Sequence, residues 1–265
     1  MSKLFSHCFV VCAYKKSPHL KACLQSLAAQ SVMPNILIAT STPSDYIDNL
    51  AKEFGVRVFI SNAKSGIGRD WNFALSCTSA EFVTIAHQDD VYEPDYLKNL
   101  AEYHARAKLP ILFYTDYFEI REDKRVYENK LLNIKRKMNA FLKPRIFWGS
   151  RFMRRRVLSM GCPICCPSVC LHKGRFAAFT FDESFMCDLD WDAWSRLAQE
   201  KGEFIYISKA LMGHRIHAQS ETTKQLDGGE RFAEDLMILQ RYWSPKMARR
   251  IMRSYSKSAQ SNEVL

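Results

Sequence analysis

The sequence predicts an α/β fold in which a mixed, mostly parallel central sheet is flanked by helices. Short apolar runs alternate with helical patterns over the first hundred residues, and strands separated by helices usually pair in parallel. In addition, a β-branched, apolar run at residues 82–86 leads directly into His87, Gln88, Asp89 and Asp90. Open α/β folds bind their ligands at the carboxyl ends of such strands, so a site is expected there.

The first half of the chain contains the clearer elements. Ser17 and Pro18 suggest an N-cap and a first-turn proline for the first helix, and Gly55 suggests the end of the second. Strands are predicted at residues 9–13, 36–39, 56–60 and 82–86. Helices are predicted at residues 20–30, at 46–54, through Trp71 and Leu75, and after Pro94.

The second half has a looser pattern. Strands are predicted at residues 111–114, 169–171 and 204–207, a helix around 191–200, and a last helix over 244–256. At 265 residues the chain is long enough for one α/β domain with additions. No internal repeat is visible.

The composition points to a reducing compartment. The chain contains nine cysteines, an odd number at irregular spacing, which does not resemble a disulfide framework. No run of 18 apolar residues is present, so a membrane-spanning helix is not expected. The protein is therefore expected to be cytoplasmic, with peripheral contact to the inner face of the cell membrane as a further expectation.

The net charge of +10 is unevenly distributed. Residues 129–181 contain twelve Lys or Arg and no Asp or Glu, and residues 241–265 contain six basic residues and one acidic residue. The rest of the chain is mildly acidic, which argues against a general nucleic-acid binder. Two basic patches favour a local anionic partner such as a phospholipid surface or a diphosphate; a solvated basic loop without a partner is the alternative.

The adjacent carboxylates Asp89 and Asp90 indicate a cation site. No Lys or Arg stands beside them in the sequence, and a hard divalent cation that also binds substrate phosphates would relieve their repulsion. The alternative is an acidic turn before the helix that follows Pro94.

Five motifs follow one another between Phe9 and Trp243. They are Cys12-Ala13-Tyr14-Lys15, Asn62…Gly66…Asn72, His87-Gln88-Asp89-Asp90, Leu189-Asp190-Trp191-Asp192-Ala193-Trp194-Ser195-Arg196, and Arg215-Ile216-His217. In this order they resemble glycosyltransferase family 2, whose members have the Rossmann-like GT-A fold. The resemblance implies an inverting transferase that moves a sugar from a nucleotide diphosphate sugar, most readily a UDP-sugar, to a glycan or polyprenyl-diphosphate-linked acceptor. Cell-surface polysaccharide synthesis is the implied process.

The resemblance also assigns roles to residues. Asp89 and His217 match the positions that hold Mn²⁺ or Mg²⁺, with Asp90 as a further candidate, and Asp190 matches the general base. Residues 1–118 would form the nucleotide-sugar-binding half, 119–228 the acceptor-binding and catalytic half, and 229–265 a basic helical tail. The expected nucleotide-binding residues are Ala13, Tyr14, Thr40, Arg69, His87 and Gln88.

The sequence departs from the family pattern in three places. Thr40 and Ser41 stand where an acidic residue usually contacts the base, His87 replaces the first Asp of the metal motif, and Asp70-Trp71 replaces Ala-Arg. Arg69 is the candidate for the phosphate contact that this last change removes.

Several alternatives remain open at this stage. Asp190 and Asp192 could be first-turn acids of a helix, with Asp188 also near the base position. A nucleotidyltransferase is disfavoured because residues 13–17 contain no glycine, and a non-catalytic sugar-binding relative is a second rival. The cluster Cys162, Cys165, Cys166 and Cys170 has one CxxC pair and gives only a weak zinc signal.

Two basic segments also contain large apolar residues. In the last helix, Met247, Ile251 and Tyr255 are spaced four residues apart among basic side chains. Residues 135–156 combine nine basic residues with large apolar ones that include Phe141, Ile146, Phe147, Trp148 and Phe152. This composition is typical of a segment that binds an anionic membrane surface, although core packing of the apolar residues is the alternative. Tyr14 and Trp148 are also candidate stacking platforms.

Overall fold

A computed structural model describes residues 5–217 and 229–260, and its strands form one mixed sheet. The strand order is β3-β2-β1-β4-β8-β6-β9-β5, and β7 pairs with β6. The strands are β1 His7–Ala13, β2 Ile36–Thr40, β3 Arg57–Ile60, β4 Phe82–His87, β5 Val91–Tyr92, β6 Pro110–Arg121, β7 Lys124–Val126, β8 Val169–Leu171 and β9 Glu203–Ile216.

Helices cover both faces of this sheet. Within the described residues they are α1 Leu20–Ala28, α2 Asp45–Phe54, α3 Ile67–Ser76, α4 Tyr96–His104, α5 Lys130–Asn139, α6 Arg151–Leu158, α7 Leu189–Leu197, α8 Gly229–Leu239 and α9 Pro245–Gln260. The sequence predicted helices at or near six of these and a helical tail from residue 229 that includes α8, but it gave no helix for α5 or α6.

The four amino-terminal strands pair in parallel because helices connect them. Phe9 of β1 lies opposite Ile36 of β2 on one side and Thr84 of β4 on the other. β1 and β4 are buried on both faces, so their apolar runs do not alternate with polar residues. Their carboxyl ends therefore lie side by side, and Cys12 is in register with His87.

The local helix signals act as expected at α2 but not at α1. Ser44 caps α2, its hydroxyl accepting a hydrogen bond from the Ile47 N–H, and Gly55 ends the helix at a φ of 63°. Helix α1 begins at Leu20 without a side-chain cap. The predicted cap, Ser17, instead donates a hydrogen bond to the Oδ1 of Asp89 at 2.6 Å. The N-cap prediction was therefore wrong, and the Ser17 side chain contacts the predicted metal motif.

Strands β6 and β9 are much longer than predicted. They contain 12 and 14 residues and run parallel to each other, with register shifts around Asp116. The extra length of β9 places His214–His217 beside the end of β4, because β5 also pairs with β9 just after the Asp89-Asp90 turn. The polar residues of the two chain halves therefore meet at one edge of the sheet.

Trp148 belongs to the core and not to the surface. It is 1% exposed, and its indole N–H donates to the Leu142 carbonyl at 3.1 Å. It is therefore neither a stacking platform in a site nor part of an exposed interfacial face. Across the described residues, 5–217 and 229–260, every helix is too short or too polar to cross a membrane.

Candidate active site

A cavity of about 860 Å³ lies at the carboxyl ends of β1 and β4. Residues from distant segments line it, because α3, α7, α8 and the end of β9 surround the same edge of the sheet. The lining includes Tyr14–His19, Ser65–Ile67, Asp70, Trp71, His87–Asp90, Lys135, Cys162, Met186–Trp191, His214, Arg215, His217, Arg231 and Asp235. Most of the predicted site residues are therefore in one place.

Asp89 stands at the centre of this group. Its Oδ1 accepts the Ser17 hydroxyl at 2.6 Å, and its Oδ2 lies 3.3 Å from the Nε2 of His217. The guanidinium of Arg215 donates to the main-chain carbonyl of Asp89 at 3.0 Å. The carboxylate is about one quarter exposed, so it remains accessible from the cavity.

Asp90 has a different environment from Asp89. It is 1% exposed, its Oδ1 accepts the Arg215 N–H at 2.9 Å, and the same oxygen lies 3.1 Å from the Nδ1 of His214. Burial alone would raise the pKa of Asp90, but His214, His87 and the Arg215 N–H outweigh it and lower the pKa. Its oxygens hold the end of β9 against the end of β4.

Gln88 and Tyr14 connect the ends of β4 and β1. The Tyr14 N–H donates to the Gln88 side-chain carbonyl at 2.9 Å, and the Gln88 amide donates back to the Tyr14 carbonyl at 3.1 Å. His87 stacks on Trp71 at 5.3 Å between ring centroids, and burial lowers the pKa of its imidazole. Both pairs form part of the wall of the cavity.

Three residues predicted to bind nucleotide lie outside the cavity lining. Thr40 is 2% exposed, and its hydroxyl accepts the Thr42 N–H. Arg69 donates to the Lys64 carbonyl and pairs with Glu183. Ala13 is the buried last residue of β1. Their nucleotide contacts remain predictions.

Asp190 lies at the start of α7 and faces the same cavity. The Trp191 N–H donates to its Oδ1 at 2.7 Å, and the Cys162 thiol lies 3.9 Å from its Oδ2. Burial raises the pKa of Asp190, although this hydrogen bond and the positive charges of Lys135 and Arg231 oppose the rise. A carboxylate with a raised pKa suits proton transfer near neutral pH.

The structure separates Asp190 from its two acidic neighbours. Asp192 is 1% exposed, lies outside the cavity lining, and pairs with Arg196 at 2.8 Å and Arg241 at 2.7 Å. It therefore joins α7 to the segment after α8. Asp188 lines the cavity, but it faces Asp235 of α8 and is 5% exposed.

Sequence patterns did not identify the contribution of α8. Arg231 and Asp235 line the cavity, and Glu234 accepts the N–H groups of Met186, Cys187 and Asp188 at 2.6–2.9 Å. The available signal was an acidic pair, Glu234-Asp235, next to the apolar run Leu236–Leu239. The predicted division at residue 229 had placed these residues in a basic tail, and that boundary remains a prediction.

The cysteine cluster packs as apolar side chains. Cys165, Cys166 and Cys170 are buried, and burial raises the pKa of each thiol, as it does for Cys162. His172 is also buried, stacked on Phe82. Within residues 5–217 and 229–260 no group of three or more His, Cys, Asp or Glu could hold a metal ion.

The pair Asp89 and His217 therefore fits a metal only in combination with substrate oxygens. One carboxylate and one imidazole are an acceptable partial ligand set for Mn²⁺ or Mg²⁺, which often complete their coordination with phosphate oxygens and water. A site closed by protein ligands alone does not fit these residues.

Comparisons with known proteins identify the family and the fold. A model of glycosyl transferase family 2 matches residues 8–161, more than half of the chain. No curated protein sequence matches. Similar solved structures include S. aureus TarS 1–349 in complex with UDP-GlcNAc (TM-score 0.65, 14% identity, 93% of this chain and 70% of that one). Another is the mannosyltransferase PcManGT from Pyrobaculum calidifontis with GDP-Man and Mn²⁺ (TM-score 0.62, 12% identity, 98% and 76%).

The family match begins inside β1 and extends past α6, so it includes the Asp89 turn. At identities this low the solved structures establish the fold, and the mixed α/β sheet flanked by helices is that of GT-A enzymes. The chain therefore belongs to glycosyl transferase family 2 and is a glycosyltransferase with the GT-A fold.

Proposed function

We propose that this protein transfers a sugar from a nucleotide diphosphate sugar, with UDP as the first candidate, to a hydroxyl group of a glycan or a lipid-linked saccharide. The transfer would invert the anomeric configuration in a single displacement. The observation that carries the proposal is the placement of Asp89, His217 and Asp190 around one cavity.

The leaving group would bind at the end of the cavity formed by β1, β4 and β9. A departing nucleoside diphosphate carries concentrated negative charge, which positive groups must offset as the glycosidic bond breaks. Lys15, Lys16 and Arg215 line this end of the cavity. Because Arg215 also holds the Asp89 carbonyl, its guanidinium is already fixed before a ligand binds.

Asp89 and His217 would hold a divalent metal ion together with the diphosphate. When bound, such an ion neutralises charge on the leaving phosphates. The chain prepares this position through Ser17, which orients Asp89, and through Asp90, which fixes the start of the His214–His217 segment. The mannosyltransferase from P. calidifontis was solved with Mn²⁺, so Mn²⁺ is the first ion to test.

Asp190 would take the proton from the attacking acceptor hydroxyl. The Trp191 N–H fixes the orientation of its carboxylate, and partial burial raises its pKa. A single displacement requires this base on the face of the sugar opposite the leaving diphosphate. Asp190 belongs to α7, whereas the proposed metal and phosphate contacts lie just after β1 and β4 and at the end of β9, and this separation supports the assignment.

An anionic membrane surface is the proposed location of the acceptor. Phe152 and Ile146 are 71% and 81% exposed, and basic residues surround them on and near α6. The Arg155 guanidinium donates to the Arg241 carbonyl, which places α6 next to the segment that leads into basic helix α9. Exposed apolar side chains among basic ones favour the inner leaflet of a cell membrane.

The test of the proposed function is turnover across a panel of nucleotide sugars with Mn²⁺, Mg²⁺ or EDTA. We expect the nucleotide diphosphate to be released from one or a few donors, with the metal required. Tight binding of a glycan without turnover of any donor would instead favour a non-catalytic sugar-binding protein. The anomeric configuration of the first product, read by NMR, tests inversion.

A further inference from the structure

Asp188 and Asp235 form a carboxyl pair that the proposed chemistry does not use. Both line the cavity and both are buried, at 5% and 3% exposure. The Oδ2 of Asp188 is buried and accepts no hydrogen bond from an N–H or O–H group of the described residues, while the two carboxyl groups hydrogen-bond to each other. A ligand that donates a hydrogen bond to this oxygen would therefore gain affinity.

The pair holds a proton at neutral pH. Burial, followed by the negative charge of Asp235, raises the pKa of Asp188 to about 9. Burial also raises the pKa of Asp235, to about 6, whereas Arg231 of the same helix lowers both values, and Asp190 acts to raise them. Arg231 offsets part of the negative charge that remains on the pair, to which Glu234 and Asp190 also contribute.

The backbone around Asp188 is fixed before any ligand binds. Glu234 accepts three successive N–H groups, those of Met186, Cys187 and Asp188, at 2.6, 2.8 and 2.9 Å. Farther along α7, the Tyr242 hydroxyl donates to the Ser195 hydroxyl at 2.7 Å. These contacts hold the start of α7 and α8 together, so the pair is preorganised next to Asp190.

We propose that Asp188 and Asp235 form a binding site for hydroxyl groups of the acceptor saccharide, beside the base that activates the reacting hydroxyl. This inference rests on the proposed function, because it takes Asp190 to mark the acceptor end of the cavity. A sugar hydroxyl suits the site, since its O–H can donate to the Asp188 Oδ2.

The test measures binding of simple glycosides to the whole protein with UDP and Mn²⁺ present. The probes are the methyl glycosides of glucose, galactose, mannose and N-acetylglucosamine. Saturation-transfer NMR detects their binding, and competition titrations give the Kd of each probe. For the tightest probe, we expect Asp188→Ala to raise Kd by about fivefold to tenfold, the equivalent of one hydrogen bond. Asp188→Asn keeps a side-chain carbonyl and should stay within about threefold of the wild type.

The affinity for UDP should be the same in all variants, which separates a local effect from misfolding. The matched control is Asp45→Asn, because Asp45 is an exposed acid at the start of α2. This variant should change neither the Kd for the glycoside nor the Kd for UDP. The proposal would be overturned if Asp188→Ala and the wild type bound glycosides equally well. It would also be overturned if the wild type bound none of the probes. Methyl glucosaminide serves as an additional, cationic probe, and tighter binding of it than of methyl glucoside would show a cation site instead.

The two proposals fail in different ways. If donors are turned over but Asp188→Ala binds glycosides normally, the transferase proposal stands and the acceptor-site inference is wrong. If no donor is turned over, the transferase proposal is wrong, and a glycoside Kd that depends on Asp188 would describe only a sugar-binding site.

Discussion

The Nε2 of His217 lies 3.3 Å from the Oδ2 of Asp89, although the two residues are 128 positions apart in the chain. The contact depends on Asp90, whose carboxylate holds the first residues of the same segment through His214 and the Arg215 N–H. Of two adjacent carboxylates, one is therefore available to a ligand, and the other is committed to the fold.

The first prediction concerns metal-linked nucleotide binding at this pair. Asp89→Asn and His217→Ala should each remove most of the increase in UDP affinity that Mn²⁺ produces, because each change removes one of two protein ligands. Isothermal titration with Mn²⁺ and with EDTA measures the difference. Turnover should fall by about 10²–10³-fold. An unchanged Mn²⁺ effect in both variants would contradict the ligand assignment.

The second prediction separates Asp190 from Asp192. Asp190→Asn should lower kcat by about 10²–10⁴-fold and leave UDP affinity intact, because only proton transfer is lost. Asp192→Asn should lower the free energy of unfolding by roughly 2 kcal/mol, because it disturbs a buried carboxylate that pairs with two arginines. If Asp190→Asn keeps most of its turnover, the base assignment is wrong, and Asp192 does not replace it because it does not line the cavity.

The third prediction is the pH dependence of kcat. Burial raises the pKa of Asp190, and a base must be ionised to accept a proton. The rate should therefore fall as the pH decreases through a value above the usual carboxyl pKa of about 4. A kcat profile between pH 4 and 9, with a metal concentration that saturates throughout, measures this. A decrease in kcat that begins only at or below pH 4 would argue against a buried base.

The fourth prediction concerns stability and Asp188. Its folded pKa of about 9 lies far above the unfolded value near 3.8, so the folded state binds more protons between these limits. Ionisation therefore destabilises the fold increasingly as the pH rises from about 4 to 9. Asp188→Asn cannot ionise, and its Tm relative to the wild type should increase over that range. A constant Tm difference would show that Asp188 is not held protonated.

The fifth prediction concerns the apolar, basic surface at α6. Replacement of Phe152 and Ile146 together by Ser should weaken binding to phosphatidylglycerol-containing vesicles in a sedimentation assay, because both side chains are largely exposed among basic residues. Met33→Ser is the matched control, since Met33 is 94% exposed elsewhere. Equal binding of the wild type to neutral and anionic vesicles, or no binding at low salt, would contradict the prediction.

Much of the fold could be read from local patterns. The predicted strands near β1, β2, β3 and β4 agree with the structure to within about two residues at each end, because a buried parallel strand is a short apolar run with polar residues at its carboxyl end. The metal motif directly follows β4, so Asp89 could be named without coordinates. The same patterns underestimated β6 and β9, since a polar residue in a long strand resembles a strand end.

Long-range contacts could not be read in this way. Ser17 looked like a helix cap, and its hydroxyl binds Asp89 instead, 72 residues away. Of three acids near the start of α7, the family resemblance favoured Asp190 as the base, but the environments of the three separate only because Arg241 reaches Asp192 and Asp235 faces Asp188. Sequence periodicity reports which side of an element is buried, whereas ionisation and hydrogen bonding depend on groups that folding brings from other elements. These distant partners set the chemical environment of the cavity.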